Sequence, residues 1–263
     1  MGDPFTFDLN IEPEADNAKS SADGNRAEEL SKWAEGQLAD PSPLFFDIET
    51  GPLPDDQLRA IYHEKTLDEF AATCDKRWKS DTVAAKYEQY KASAWDEFVG
   101  KSALSPITGR VLLIGMMVYS NTFSAIGYEE EKQTLRSFWE FVGFALSNKN
   151  RIIGHNSNGF DVPFLVRRSW ILGVHVPREI RQGRYWNPLF IDTMEAWGCG
   201  GRDFIGLNDL AACFGVGQKT EGFAGKDFAK YWFGTAEERN RALEYCEQDV
   251  RLTAAIAAKM GLT

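Results

Sequence analysis

The run LFFDIETGP, at residues 44–52, is the stretch of this 263-residue chain from which the fold can be argued. It begins with an apolar run and ends in a Gly-Pro turn, which is typical of a buried β-strand. Its two acidic residues, Asp47 and Glu49, are two positions apart, so both side chains project from the same face of the strand. The sequence therefore predicts a buried strand that carries a pair of carboxylates.

Four more strands are expected along the chain. They are the two strands of a hairpin at residues 111–118 and 122–128, a fourth that begins at residues 152–153, and a fifth at residues 189–192. Apolar residues at three- and four-residue steps predict amphipathic helices between and after these strands, beginning at Lys132 and over residues 162–172 and 236–260. Hairpin strands followed by alternating helices and strands predict an α/β fold, with a five-stranded mixed sheet flanked by helices.

The charge of the chain is distributed unevenly. Its net charge is −10, and residues 1–40 contain ten acidic and three basic residues. Because this segment is poor in large apolar side chains, we expect a flexible acidic tail before a folded domain at residues 41–263. Residues 55–100 combine charged stretches with scattered aromatic residues, which predicts two or more helices after the first strand. The negative charge argues against a generic basic surface for nucleic acid, although bound divalent metals could supply positive charge locally.

Several classes of protein are disfavoured by composition. No uncharged apolar run approaches the roughly 20 residues of a membrane helix, and the N-terminus lacks a secretory signal pattern. We therefore expect no membrane association and a cytoplasmic location. The four cysteines are scattered without a Cys-x-x-Cys pair and there are only three histidines, so we expect reduced thiols and no zinc cluster.

Two further acidic motifs accompany the pair on the first strand. Residues 154–161 (GHNSNGFD) end in Asp161, just beyond the fourth strand, and residues 245–249 (YCEQD) place Tyr245 and Asp249 on one helix face. Hard divalent ions such as Mg²⁺ need several oxygen ligands, and four converging carboxylates could hold two of them. Each motif alone also has an ordinary structural explanation, as an edge-facing pair, a helix cap or amphipathic packing.

Taken together and in this order, the three motifs resemble those of the DEDD superfamily of 3′→5′ exonucleases, in the subgroup with tyrosine in the third motif. They are most similar to the proofreading domains of family B DNA polymerases and to stand-alone relatives of those domains. The resemblance covers about residues 42–260. Within this range, it implies that residues 53–105 are a helical insertion after the first strand. It implies a ribonuclease H-like fold and hydrolysis of phosphodiester bonds from a 3′ end, with release of nucleoside 5′-monophosphates.

The resemblance also implies a role for each residue of the motifs. Asp47 would contact both of two divalent ions, Mg²⁺ or Mn²⁺, while Glu49 and Asp249 complete the first site and Asp161 supports the second. Tyr245 would orient the attacking water. The pKa of a free tyrosine is about 10, so its hydroxyl is a poor general base at neutral pH. Positioning of the attacking water is therefore the role that fits this pKa better.

Residues beside the motifs are weaker candidates for contacts with nucleic acid. Asn156 and Phe160 match the family pattern and are candidates to contact the strand terminus, with structural roles as the alternative. Thr50 and Leu53 follow the first motif closely enough to touch the terminal nucleotide. Asp192, at the end of the fifth strand, is expected to hydrogen-bond a neighbouring turn. A solvated helix face or phosphate contacts would equally explain the arginines near the second motif: Arg167, Arg168, Arg178, Arg181 and Arg184.

The leading hypothesis is a metal-dependent 3′→5′ exonuclease that acts on single-stranded 3′ ends, with DNA favoured over RNA. A polymerase would not fit in 263 residues, so any proofreading would act in trans with a replication or repair partner that the sequence does not identify. One alternative is a non-catalytic module on the same fold that binds nucleic acid or a partner, which the loss of a carboxylate would favour. Another is an endonuclease or integrase-like enzyme, which would not need the Tyr-x-x-x-Asp helix.

Overall fold

The computed structural model describes residues 43–118, 122–180, 189–201, 203–219 and 222–263. The predicted acidic tail and two of the candidate arginines, Arg181 and Arg184, lie outside the described residues. Within them the chain forms five β-strands and nine α-helices.

The five strands form one mixed sheet, as predicted. They are β1 Leu44–Pro52, β2 Gly109–Val118, β3 Phe123–Ile126, β4 Ile152–Gly154 and β5 Phe190–Asp192. Their order in the sheet is β3-β2-β1-β4-β5, so β1 is the central strand. β1 pairs antiparallel with β2, and β2 with β3, whereas β4 is parallel to both β1 and β5.

The helices are α1 Asp55–Ile61, α2 Leu67–Thr73, α3 Ser80–Ser102, α4 Glu131–Ser147, α5 Asp161–Leu172, α6 Thr193–Trp197, α7 Leu207–Phe214, α8 Phe228–Trp232 and α9 Ala236–Lys259. α9 begins with a capping box in which Thr235 and Glu238 satisfy each other's backbone N–H groups. The longer helices were predicted, but α6, α7 and α8 were not. α6 and α8 have only five residues each, which is too short for apolar periodicity to show.

Helices cover both faces of the sheet. Leu44, Phe46 and Ile48 of β1 lie in the core beneath α4 and α5. Phe45 packs on the opposite face against Val250 of α9. Because side chains alternate along a strand, the two acidic residues of β1 also lie on the face that α9 covers.

The helices α1–α3 form the predicted insertion between β1 and β2. Only Leu58, Ala94 and Ser102 are buried in these three helices. Rings at their contacts hold them together, for example Tyr62 and Trp95, whose centroids are 5.1 Å apart. After α3 the chain returns to the end of β1 that follows the acidic pair, so the insertion is anchored beside that pair.

Candidate active site

β1 carries the first two candidate ligands. Asp47 is half-buried and Glu49 is buried. The register between β1 and β2 shifts between Glu49 and Thr50. The extra residue at this shift is Leu112 of β2; a bulge bends the strand that carries it, and bulges are common beside active sites.

Asp161 is bonded directly to the backbone of β1. It is the first residue of α5, and its Oδ1 accepts a hydrogen bond from the amide of Ile48 at 3.1 Å. The loop before it is held by Asp192, whose carboxylate accepts from the amides of Asn156 at 2.8 Å and Asn158 at 2.9 Å. Asp192 thus bonds a neighbouring turn, as predicted, and it thereby positions Asp161.

α9 brings the third motif against the carboxylates of β1. Asp249 is buried, and its Oδ1 has no hydrogen-bond partner among the described residues. Cys246 is fully buried, and its Sγ and one carboxylate oxygen each of Asp47 and Glu49 lie within 4.8 Å of one another. Three segments that are far apart in the sequence therefore converge on one site.

The carboxylates of this site raise one another's pKa values. Burial, followed by the charges of Asp161 and Asp249, raises the pKa of Asp47 well above its ordinary value. Burial and the charges of Asp47 and Asp249 do the same for Glu49. Burial raises the pKa of Asp161 to about 7. Like charges in a buried site disfavour ionisation, so the cluster favours a bound proton or cation.

A lysine that the sequence did not single out lies in the same site. Lys219 Nζ is 2.5 Å from Oδ2 of Asp249 and donates a hydrogen bond to the Tyr245 hydroxyl at 3.1 Å. Burial by itself lowers the pKa of Lys219, but the charge of Asp249, the hydrogen bond to Asp249 and the interaction with Tyr245 together outweigh burial and raise it. No motif or spacing distinguishes this residue from other lysines of the chain, so only the structure could identify it.

The ring of Tyr245 is held on one side by Phe223, with centroids 4.4 Å apart and planes inclined by 25°. The Lys219 ammonium group lies 4.9 Å from the ring centroid. Burial, followed by the charge of Asp249, raises the pKa of Tyr245 to about 12. The hydroxyl is therefore protonated at neutral pH and can donate a hydrogen bond, but it is a poor base.

The four residues predicted to contact nucleic acid all have structural contacts in the folded chain. The Thr50 hydroxyl donates to the carbonyl of Ala103 at 2.7 Å, and the Leu53 amide donates to the carbonyl of Thr108. Phe160, the residue before α5, packs against the core. The amide of Asn156 donates to the carboxylate of Asp192. Contact with nucleic acid remains a prediction for these four residues.

The prediction for Arg168 as a phosphate contact is wrong. Its guanidinium group is buried in an ion pair with Glu131 of α4 at 2.5 Å, and it also donates to the carbonyl of Pro106. This pair ties α5 to α4 and leaves the group inaccessible to a phosphate. Arg167 and Arg178 are exposed, and phosphate contact remains a prediction for them.

The residues of the site fit divalent cations. Carboxylate oxygens are the ligands that Mg²⁺ and Mn²⁺ prefer. Asp249 keeps a buried oxygen without a partner, and Lys219 supplies one positive charge against four carboxylates. A cation held by these oxygens would relieve both the missing hydrogen bond and the repulsion between like charges.

The fold and the site define a class of protein, namely an α/β domain with a mixed five-stranded sheet whose central strand contributes to a buried acidic site. A family model described as the RNase H superfamily matches residues 101–261. The chain belongs to this superfamily, which confirms the predicted ribonuclease H-like fold and points to a nuclease-type hydrolase.

Among solved structures, the chain is similar to the family B DNA polymerase from the hyperthermophilic archaeon Pyrobaculum calidifontis. The sequence identity is 24% and the TM-score is 0.51, over 61% of this chain and 23% of the polymerase chain. The similarity supports the shared fold, and this chain spans less than a quarter of the polymerase. No curated protein sequence matches the chain. No helix in the described parts of the chain is long and apolar enough to cross a bilayer.

Proposed function

We propose that this protein is a metal-dependent 3′→5′ exonuclease that hydrolyses the terminal phosphodiester bond of a single strand and releases a nucleoside 5′-monophosphate. DNA is the favoured substrate. The observation that carries this proposal is the convergence of four carboxylates, from β1, α5 and α9, beside the hydroxyl of Tyr245. Action in the cytoplasm, in trans for a replication or repair partner, is part of the proposal.

The carboxylates divide between two cation positions in this proposal. Asp47 contributes to both, Glu49 and Asp249 complete one, and Asp161 belongs to the other. When bound, Mg²⁺ or Mn²⁺ would stabilise negative charge on the attacking and leaving oxygens and lower the pKa of the attacking water. The protein's own contribution is to hold the ligands rigidly, since Asp161 is bonded to β1 and its loop to Asp192.

Tyr245 orients the attacking water in this proposal. Its hydroxyl keeps its proton because the pKa is about 12, so it acts as a hydrogen-bond donor. Lys219 positions that hydroxyl by donating to its oxygen, and Phe223 holds the ring. Lys219 also places a positive charge beside the oxygens that become negative during phosphodiester cleavage.

Oligonucleotides labelled at the 5′ end test the proposal directly. DNA and RNA strands are incubated with Mg²⁺ or Mn²⁺, or with EDTA, and the products are resolved by length and by nucleotide analysis. We expect a ladder that shortens by single nucleotides from the 3′ end, 5′-monophosphates as products, and no cleavage in EDTA. A phosphorothioate at the 3′-terminal linkage should slow the reaction.

The other outcomes are equally informative. Internal fragments from a strand with a blocked 3′ end would support an endonuclease instead. Tight binding without cleavage would support a non-catalytic module. The same preparation of Asp47→Asn is the control for contaminating nucleases, because cleavage that persists in this variant does not come from the site.

A further inference from the structure

A group of side chains lies where β1 ends and β2 begins, beyond the acidic pair on β1. It consists of Leu104, Ile107, Arg110 and Phe233, and we refer to it as the sheet-end surface. Its three apolar members are unusually open, with exposed fractions of 68% for Leu104, 68% for Ile107 and 54% for Phe233. Exposed apolar groups beside a functional site commonly mark a binding surface.

The sheet-end surface shares a face of the sheet with the carboxylates. Arg110 of β2 pairs with Gly51, two residues beyond Glu49 on β1. The extra residue at the register shift is on β2, so the side chains of β1 keep alternating from Glu49 to Gly51. Residues directly paired across antiparallel strands project from the same face, so Arg110 lies on the face of Asp47 and Glu49. The advance from Glu49 to Gly51 is about 7 Å at the usual rise of a strand.

The helix α8 completes this surface. A Cβ placed on Gly51 would lie only 3.0 Å from the Cβ of Ala229 in α8, so α8 packs directly over the end of β1. Phe233 follows the last residue of α8. The guanidinium carbon of Arg110 lies 4.8 Å from the centroid of the Phe233 ring. Arg110 and Phe233 therefore form one unit.

Arg110 carries unused hydrogen-bonding capacity. Its side chain is half-buried, and its Nε is buried without a hydrogen-bond partner. No ion pair joins Arg110 to a carboxylate of the described residues; the charge of Glu131 acts on it, but Glu131 is paired with Arg168. A buried donor without a partner is costly, and a guanidinium group binds phosphate well. The Nε atom itself is out of a ligand's reach, and an anionic ligand would pair with the terminal N–H groups of the half-buried guanidinium group instead.

The combination of Arg110 with Phe233 suits a nucleotide better than a free anion. Aromatic side chains bind single strands by stacking on bases, and guanidinium groups contact the phosphates. An acidic peptide could satisfy Arg110 but would leave the open ring and the two aliphatic side chains without a matching group. Because the sheet-end surface lies beside the acidic site, the strand that is being degraded is the favoured ligand of this surface.

We propose that Arg110 and Phe233 form a subsite for a nucleotide on the 5′ side of the terminal one. Arg110 contacts a phosphate of the strand, and Phe233 stacks on a base. Leu104 and Ile107 form the apolar edge of the same subsite. This inference rests on the proposed function, because it assumes that a 3′ end occupies the carboxylate cluster.

Two substrates of different length test the subsite. The p-nitrophenyl ester of thymidine 5′-monophosphate offers one nucleotide and does not reach the sheet-end surface, whereas a decanucleotide does. The variants are Arg110→Ala, Arg110→Lys and Phe233→Ala. The matched controls are Arg136→Ala, which removes an exposed arginine of α4, and Trp170→Ala, which removes an aromatic side chain of α5 that is 62% exposed.

Binding is measured by fluorescence anisotropy in EDTA, with single strands from a dinucleotide to a decanucleotide, and hydrolysis is measured with both substrates. We expect Arg110→Ala and Phe233→Ala each to weaken binding of the decanucleotide by roughly 5- to 100-fold. Hydrolysis of the mononucleotide ester should be unchanged, as should both readouts in the controls. Arg110→Ala should also reduce the slope of log affinity against log salt by about 0.7, whereas Arg110→Lys should preserve it.

Failure of this inference is distinct from failure of the proposed function. Decanucleotide affinities equal to those of the active wild type would overturn the subsite and leave the exonuclease proposal standing. An equal loss on the mononucleotide ester would also overturn it, since Arg110 or Phe233 would then act on the fold or on the terminal site. Unfolding curves identify a variant that has lost its fold. If Arg110→Ala is such a variant, the slope of log affinity against log salt is measured with Arg110→Lys instead.

Discussion

The ammonium group of Lys219 lies 2.5 Å from the Oδ2 atom of Asp249, inside a cluster that contains four carboxylates. The other oxygen of Asp249 is buried without a partner. One positive charge therefore neutralises only part of the site. The ion pair relieves part of the repulsion between like charges and leaves the remaining carboxylates as the ligands of the proposed cation sites.

Replacing Lys219 with methionine should destabilise the metal-free protein. Asp249 would be left buried without its partner, and leaving a buried polar group unsatisfied costs about 1–3 kcal/mol. We expect a lower melting temperature in EDTA and a larger upward shift on addition of Mn²⁺ than in the wild type. Differential scanning fluorimetry measures both quantities. Lys76→Met, at an exposed position, is the control, and equal metal-induced shifts in the two variants would contradict the prediction.

Replacing Tyr245 with phenylalanine keeps the stacking on Phe223 but removes the hydroxyl that Lys219 positions. Loss of a well-placed donor at a reaction centre typically costs about 10²–10³ in rate. We expect the single-turnover rate to fall by this factor, with metal requirement and oligonucleotide affinity almost unchanged because no carboxylate is lost. A wild-type chemical rate would show that the hydroxyl has no role in orienting water.

Asp47→Asn should lower the activity of the protein and raise its stability in the absence of metal. The substitution removes an ionisable group from a cluster in which burial, followed by the charges of Asp161 and Asp249, raises the pKa of Asp47. We expect turnover to fall by orders of magnitude, while the free energy of unfolding in EDTA rises by about 0.5–2 kcal/mol. Urea unfolding with Asp96→Asn as an exposed control measures the second effect. A loss of stability in EDTA would mean that the carboxylate is not repelled in the folded state.

The stability of the metal-free protein should depend on pH through Asp161. Burial raises the pKa of this residue from 3.8 to about 7 in the folded protein. Between these values the folded state binds a proton that the unfolded state has released. The contribution of Asp161 to stability is therefore fully present below the lower value and is lost as pH rises through the higher one.

The comparison with Asp161→Asn isolates this contribution. Unfolding free energies in EDTA are measured at about pH 5 and about pH 8, and the wild type should lose more stability over this interval than the variant. Metal affinity should change in the opposite direction and increase with pH, since protons compete with cations for the same oxygens. Parallel pH profiles for the two proteins would argue against a raised pKa for Asp161.

Arg168→Met tests the corrected role of this arginine. The substitution leaves Glu131 buried without its ion-pair partner, and breaking a buried pair in this way costs about 3–5 kcal/mol. Arg167→Met, on the exposed side of α5, should change the free energy of unfolding by about 0.5 kcal/mol or less. Urea denaturation of both variants provides the comparison. A small effect for Arg168→Met would show that the buried pair contributes little.

Much of this fold could be predicted from local patterns. The period of two along β1 placed Asp47 and Glu49 on one face, and the i, i+4 spacing placed Tyr245 and Asp249 together on α9. These periods depend only on backbone geometry, so they hold wherever the elements lie in space. The order of strands and long helices likewise predicted the mixed sheet, because hairpins give antiparallel pairs and helical crossovers give parallel ones.

The tertiary structure alone decided which charges have partners. Lys219 meets Asp249 across 30 residues of sequence, and Arg168 meets Glu131 across 37. Nothing in the local sequence distinguishes these residues from Arg110, whose Nε has no partner. Whether a charged side chain is paired, buried or open to a ligand depends on which segments pack against it, and packing is a property of the whole chain. The sequence by itself determined the carboxylates and the faces on which they lie, whereas only the fold determined the cations around them.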